Sequence, residues 1–222
     1  MKKYFCLIVT LIMFTAVISC KADVDLSYYV SQLRENVYTC DVDGLKVTVY
    51  AEKRETPFIA DSYVGKLKNQ LIVKIDGQNA TIDDAEILLS YDKTTALGSF
   101  TYSPIGGKYT STIEVETLPK SASINGVLKT GGKEIEFVLT SAVVSGFISS
   151  SDALNAVKKH DSKIVEELFC DGKVQAEIHI RIMADGTRNY YYVGFVTKDS
   201  TYAYLVDGKT GEVLAKKSNP HI

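Results

Sequence analysis

The chain has no tryptophan among its 222 residues, only three histidines and four cysteines, and a formal net charge of −2. Each scarcity removes a class of function. So even a charge balance offers no electrostatic footprint for nucleic acid, and no basic stripe runs along the sequence. The cysteines and histidines show none of the spacings that hold a metal, and no cofactor is implied. Cys6 lies in the first segment and Cys20 closes it; with Cys20 set aside, the two cysteines that remain make no disulfide framework. Cys40 and Cys170 either pair across the chain or stay as two free thiols, which non-reducing gel mobility separates. What is present is ordinary for a globular protein, 45% hydrophobic and 23% charged. Fourteen tyrosines and eight phenylalanines suit half-exposed strands better than a helical bundle.

The first twenty residues have their own character. Lys2 and Lys3 precede an apolar stretch from Tyr4 to Ile18, too short to span a bilayer comfortably. Val17-Ile18-Ser19-Cys20 then places an aliphatic residue three before a cysteine and a small residue directly before it. This resembles the bacterial lipobox. The resemblance implies diacylglycerol transfer to Cys20, cleavage before it, palmitate-type acylation and retention at the extracytoplasmic face of the cell membrane. Two long acyl chains give a stable anchor where one gives reversible binding. Ordinary signal cleavage after Ser19 is the alternative, because Val17 and Ser19 also suit that peptidase. Without Lys2 and Lys3 the mature chain carries 23 basic and 27 acidic residues, a formal −4.

Beyond the signal (residues 1–19), three segments are expected. In residues 20–42, Leu26, Tyr29, Val30, Leu33 and Val37 recur at three- and four-residue spacing, which predicts a helix over Asp23 to Asn36. Residues 43–148 switch to a period of two, with Leu45, Val47 and Val49 alternating with polar residues. Leu71 to Asp76, Ala85 to Tyr91, Lys108 to Thr117 and Lys133 to Ala142 behave alike, separated by turn signals such as Asp76-Gly77 and Asn125-Gly126. Several short strands over about 100 residues predict a β-sandwich of immunoglobulin-like architecture. The Cys…Trp…Cys hallmark of true immunoglobulin domains is absent, so the name carries no function.

Residues 149–222 open with Ser149 and Asp152, spaced as a capping box, and a helical pattern through Val157. Lys163 to Phe169 reads as a second short helix or a strand, with Glu166-Glu167-Leu168 favouring helix. A β-meander follows. Taking Asp185-Gly186 as a two-residue hairpin turn pairs Arg181 with Tyr190, Ile180 with Tyr191, and His179 with Tyr192. One face then gathers Ile178, Ile180, Tyr191, Val193 and Phe195 toward the helix; the other gathers Glu177, His179, Arg181, Tyr190 and Tyr192. The fold class expected is therefore α+β: an N-terminal helix, a sandwich, then helix plus antiparallel sheet.

Tyr190-Tyr191-Tyr192-Val193-Gly194 and the run from Tyr202 to Leu214, with its Val-Asp-Gly-Lys-Thr-Gly-Glu-Val-Leu segment, resemble a PepSY domain over roughly the last third of the chain. PepSY domains occur in propeptides of thermolysin-type proteases and in bacterial surface lipoproteins. The resemblance implies an inhibitory or binding module, with an extracellular peptidase as partner, and no catalytic residues. The sandwich half is similar to the front of uncharacterised lipoproteins, through Arg54-Glu55-Thr56-Pro57-Phe58; Arg54 there either lines a loop or joins a buried ion pair.

His179 between Glu177 and Arg181 invites an acid–base reading, but the sequence supplies neither nucleophile nor metal beside it. Tyrosine with arginine suits an interface better than chemistry, so Glu177, His179, Arg181, Tyr190 and Tyr192 are the candidate contact face; packing against the preceding domain, or plain solvation, is the competing explanation. The function expected is non-enzymatic: a surface lipoprotein that binds or restrains a partner such as a secreted peptidase. The alternative is an envelope- or carbohydrate-binding protein working through the sandwich loops.

Overall fold

The computed structural model describes residues 24–76, 84–103, 107–143, 145–171, 173–184 and 188–221. Cys20 and the signal lie outside the described residues, as does the expected Asp185-Gly186 turn. A 3-10 turn, Leu26–Tyr29, is capped by the Asp25 carboxylate, which accepts from the Ser27 amide, and leads into β1 (Val30–Val42). Then come β2 (Leu45–Glu55), β3 (Leu67–Asp76), β4 (Glu86–Tyr91), β5 (Thr94–Ser99), β6 (Thr101–Ser103), β7 (Lys108–Glu114), β8 (Ser123–Thr130) and β9 (Lys133–Ser141). Helices α1 (Ser150–His160) and α2 (Ser162–Leu168) follow, with a small ladder of β10 (Phe169–Cys170) and β11 (Lys173–Val174). The chain closes with β12 (Glu177–Ala184), β13 (Asn189–Val196), β14 (Ser200–Asp207) and β15 (Val213–Pro220).

The fold is mostly β, not the expected α+β class. Thirteen strands form one continuous sheet, and only two α-helices occur among the described residues. The N-terminal helix is absent: most of Asp23 to Asn36 is the 3-10 turn and the first half of β1. Two register shifts explain the misleading spacing, one between Val30 and Gln32 and one between Arg34 and Asn36. Each inserts a residue and breaks the period of two, so Val30, Leu33 and Val37 reach one apolar core at helix-like intervals.

The immunoglobulin-like sandwich is likewise replaced, by a nearly closed barrel. β1 is the reason. It pairs along its length with β2, at its start with β12 in parallel, and at its end with β9. From one edge the sheet runs β2-β3-β7-β6, and from the other β9-β8-β4-β5. The two arms curl until β5 meets β7, where a Cβ on Gly98 would collide with Ser111 and Ile113. Strands joined through β1 curl round a single core instead of facing each other as two sheets. Val47, Val49, Leu71, Val73, Ile87, Leu89, Ile124 and Leu139 fill that core and are essentially inaccessible.

A second core lies on the C-terminal meander β12-β13-β14-β15. Helix α1 starts in a complete capping box between Ser149 and Asp152, and it buries Ala153, Leu154 and Val157. Lys163 to Phe169 is largely α2, which buries Ile164, Val165 and Leu168. Both helices cover Ile178, Ile180, Ile182, Tyr191, Val193 and Phe195. The two faces of the hairpin are thus separated, but its register differs from the count above. Arg181 pairs with Tyr192 and Ala184 with Asn189, so four residues connect the strands. A shift of two positions keeps every side chain on its face. Cys40, half-buried, and Cys170, exposed, are free thiols.

Gly208 locks the meander to the segment before α1. Its N–H donates to the Asn189 carbonyl at 3.1 Å, and its carbonyl accepts from the Ile148 amide at 2.8 Å. A Cβ there would overlap the Phe147 ring and lie 2.7 Å from the Asn189 carbonyl oxygen, which is backbone and cannot step aside. Gly208→Ala is expected to cost about 1–3 kcal/mol, read as a lower urea midpoint, with Lys209→Ala unchanged beside it.

Candidate functional site

The parallel pairing of β1 with β12 brings one polar row together. Gln32 lies opposite both Arg54 of β2 and His179 of β12, and Arg34 lies opposite Glu52 and Arg181. Glu52 is fully buried and is the hub. It accepts from Gln32 Nε2 at 2.9 Å and Arg34 Nε at 3.2 Å, with Arg54 Nη1 3.9 Å away. Gln32 Oε1 accepts in turn from Arg181 Nε at 2.7 Å, and Arg181 Nη2 lies 3.2 Å from His179 Nδ1. An arginine only donates, so Nδ1 accepts and the ring proton belongs on Nε2.

A strap, residues 56–66, folds over this row. Phe58 meets the His179 ring edge-on at 4.8 Å. The Asp61 amide donates to Glu177 Oε1 at 3.2 Å, the Gly65 amide to Glu55 Oε1 at 2.9 Å, and Gln70 Nε2 to Thr56 Oγ1 at 3.0 Å. Beneath it, Ser31 Oγ, Glu55 Oε2, Glu177 Oε2 and His179 Nε2 are buried without a well-formed hydrogen bond. Burial, then Arg181 and Arg54, push the His179 pKa down to about 3, so the ring is neutral at ordinary pH. Burial raises the Glu177 pKa; the Ser31 hydroxyl and the Asp61 amide oppose this, while the neighbouring Glu55 adds to it.

Glu177→Gln tests the cost of that buried carboxylate. A folded pKa above the ordinary 4.5 means that the native state holds the proton longer, and stability is lost as pH rises through the folded value. The amide keeps an oxygen for Asp61 and has no charge to desolvate. The variant is therefore expected to match the wild type near pH 4 and to exceed it at pH 8, measured by denaturant titration at both values.

The structure places the five candidate contact residues unequally. Glu177 is fully buried and His179 8% exposed, both under the strap; Arg181 is half-buried. Tyr190 and Tyr192 are half-buried, and Tyr192 lies beneath the Arg181 guanidinium at 5.3 Å. Gln32, Arg34, Glu52 and Glu55 complete the group and were missed by sequence reasoning. The run from Arg54 to Phe58 was the available signal, and it forms the end of β2 and the start of the strap. Among the described residues no set of three or more His, Cys, Asp or Glu side chains is arranged to hold a metal, and no helix is long and apolar enough to cross a membrane.

Two surface features flank this sealed row. At the strap end, Tyr28, Ile59 and Tyr63 are 78%, 59% and 74% exposed. Ile59 and Tyr63 belong to the strap that Glu177 holds at Asp61, and Tyr28 lies two residues before Val30, whose partner Ile178 follows Glu177. At the seam between barrel and meander runs an open groove, with two lobes of about 560 and 250 Å³ that share Thr39, Lys46 and Ala184. Among the described residues, Arg34, Lys46, Lys74, Lys108, Arg188 and Lys209 line it together with the carboxylates of Asp76 and Asp207. No protein-family model, curated protein or solved structure matches this chain.

Proposed function

We propose that this chain is a lipid-anchored extracytoplasmic binding protein, without catalysis of its own, that holds a ligand at the membrane surface. The observation that carries the reading is the open, charged groove at the seam, beside a His-Glu-Arg row that the strap closes off. Anchoring rests on Val17-Ile18-Ser19-Cys20. Cys20 and Val24 are four residue steps apart, a reach of about 14 Å at full extension, so an acylated Cys20 would keep the fold close to the bilayer. Exposed Tyr28 and Tyr63 are side chains of the kind favoured at headgroup depth. Palmitate labelling of native cells tests the anchor: incorporation is expected, and its persistence in Cys20→Ala overturns it. Protease treatment of intact cells tests the location, and a chain protected there removes the reading.

A peptidase is the second partner reading, favoured by the Tyr202 to Leu214 segment. Adding the purified chain to co-secreted peptidases is expected to slow them if that segment acts as its resemblance implies. Unchanged proteolysis excludes it.

A further inference from the structure

We infer that the seam groove binds an acidic glycan, a linear saccharide with a carboxylate on successive rings. This deepens the proposed binding function and rests on it. The chain as a whole is acidic, with 25 basic and 27 acidic residues, yet the described residues that line the groove include six cationic side chains and two carboxylates. Both carboxylates are already engaged. Asp76 holds Lys108 at 2.7 Å, and Asp207 closes its own turn by accepting from the Lys209 and Thr210 amides at 2.9 and 2.8 Å. Arg34 is held by Glu52 and stacks 3.9 Å over Tyr50, while Arg188 lies close enough to Asp207 to lower its pKa. Lys74 and Lys209 remain with no carboxylate partner among the described residues, and Lys46, opposite Asp41 and Asp76, makes no ion pair with either. Such unmatched positive potential in a cleft raises the local concentration of anions.

The spacing selects the kind of anion. Lys46 of β2 lies opposite Asp76 of β3, and Lys74 lies opposite Thr48, one row along. That makes Lys46 and Lys74 diagonal neighbours across the strand pair, about 7–8 Å apart at their roots, so their ammonium groups meet two separate charges on a chain and not one. Beside them Thr39 and Thr48 offer hydroxyls that can give and accept hydrogen bonds with ring hydroxyls. The unengaged cations are lysines, point charges on flexible stems that can follow separate anionic groups along a chain.

The test is calorimetric titration of the purified full chain in mild detergent with oligogalacturonate, a neutral cello-oligosaccharide and inorganic polyphosphate. Oligogalacturonate is expected to bind, and to weaken at least tenfold between low and high salt. The double variant Lys46→Glu, Lys74→Glu is expected to lose at least tenfold in affinity. Lys163→Glu on α2, a reversal of equal size, is expected to leave binding intact, with unfolding midpoints confirming that all variants fold. Equal binding of the neutral saccharide, tighter binding of polyphosphate, or no effect of the double reversal each overturns the assignment. Protease treatment of intact cells in parallel separates the two failures. A surface-accessible chain that ignores oligogalacturonate sinks the glycan alone, whereas an inaccessible chain sinks the surface function.

Discussion

Glu52→Ala is expected to lower the stability of the folded chain by about 3–5 kcal/mol, the largest single-residue effect anticipated here. Glu52 has no solvent exposure, accepts hydrogen bonds from Gln32 and Arg34, and pairs electrostatically with Arg54. Its removal leaves the Arg34 guanidinium, whose side chain is 16% exposed, without its carboxylate in a setting that water barely reaches. The loss spreads, because Gln32 bridges Glu52 to Arg181 and Arg181 supports His179. Glu52→Gln retains an acceptor oxygen and the shape of the side chain, and it is expected to lose less. Urea denaturation monitored by tyrosine fluorescence measures both variants. A loss below about 1 kcal/mol for Glu52→Ala, the range of an exposed ion pair, would show that the row is not sealed.

The second large effect is a pH dependence carried by His179. In the unfolded chain the ring takes up a proton near its ordinary 6.5; in the folded chain burial, Arg181 and Arg54 delay that to about 3. Between these values the native state binds fewer protons than the unfolded state. Stability is therefore complete above pH 6.5 and falls as pH drops toward 3, by about 1.4 kcal/mol per pH unit for one proton. From pH 7 to pH 4 the loss assignable to this ring is about 3 kcal/mol. His179→Leu removes the titration. The variant is expected to be less stable than the wild type at pH 7, having lost the acceptor for Arg181, and to close that deficit by about 3 kcal/mol at pH 4. Carboxylates titrate in both proteins and cancel in the difference. A deficit unchanged between pH 7 and pH 4 would mean that the folded ring is protonated at its ordinary pKa.

Both expectations concern a row that the sequence only half revealed. Glu177, His179 and Arg181 were visible as the polar positions of an alternating strand, and Ile178, Ile180 and Ile182 as the apolar ones. Nothing in that alternation distinguishes a polar face open to water from one covered by a strap. Glu52 was less visible still. It occupies a polar position in β2, and its burial depends on Gln32 and Arg34, which a helical reading had turned away from any strand. The hairpin register shows the same limit in miniature: Asp185-Gly186 suggests a two-residue turn, while the pairing of Ala184 with Asn189 requires four. The shift of two preserved the faces, so the segregation of side chains survived the wrong count.

The seam groove belongs to the part that no local pattern could announce. Lys46 and Lys74 come from barrel strands, Arg188 and Lys209 from the meander, and their meeting depends on how β1 joins the two halves. Taken one at a time, they are exposed or half-buried lysines and arginines of no special spacing.

By itself the sequence determined the local periods: strands where apolar residues alternate, as in β2, β3, β4 and β9, a capped helix at Ser149, and which side of β12 is greasy. These depend on propensity and side-chain direction, which act over a few residues. Only the tertiary structure decided that β1 is a strand, that the sheet curls into one barrel, and that His179 and Glu177 are covered. Those outcomes depend on which distant segments pair, and two bulges in β1 were enough to hide the pairing from any reading made along the chain.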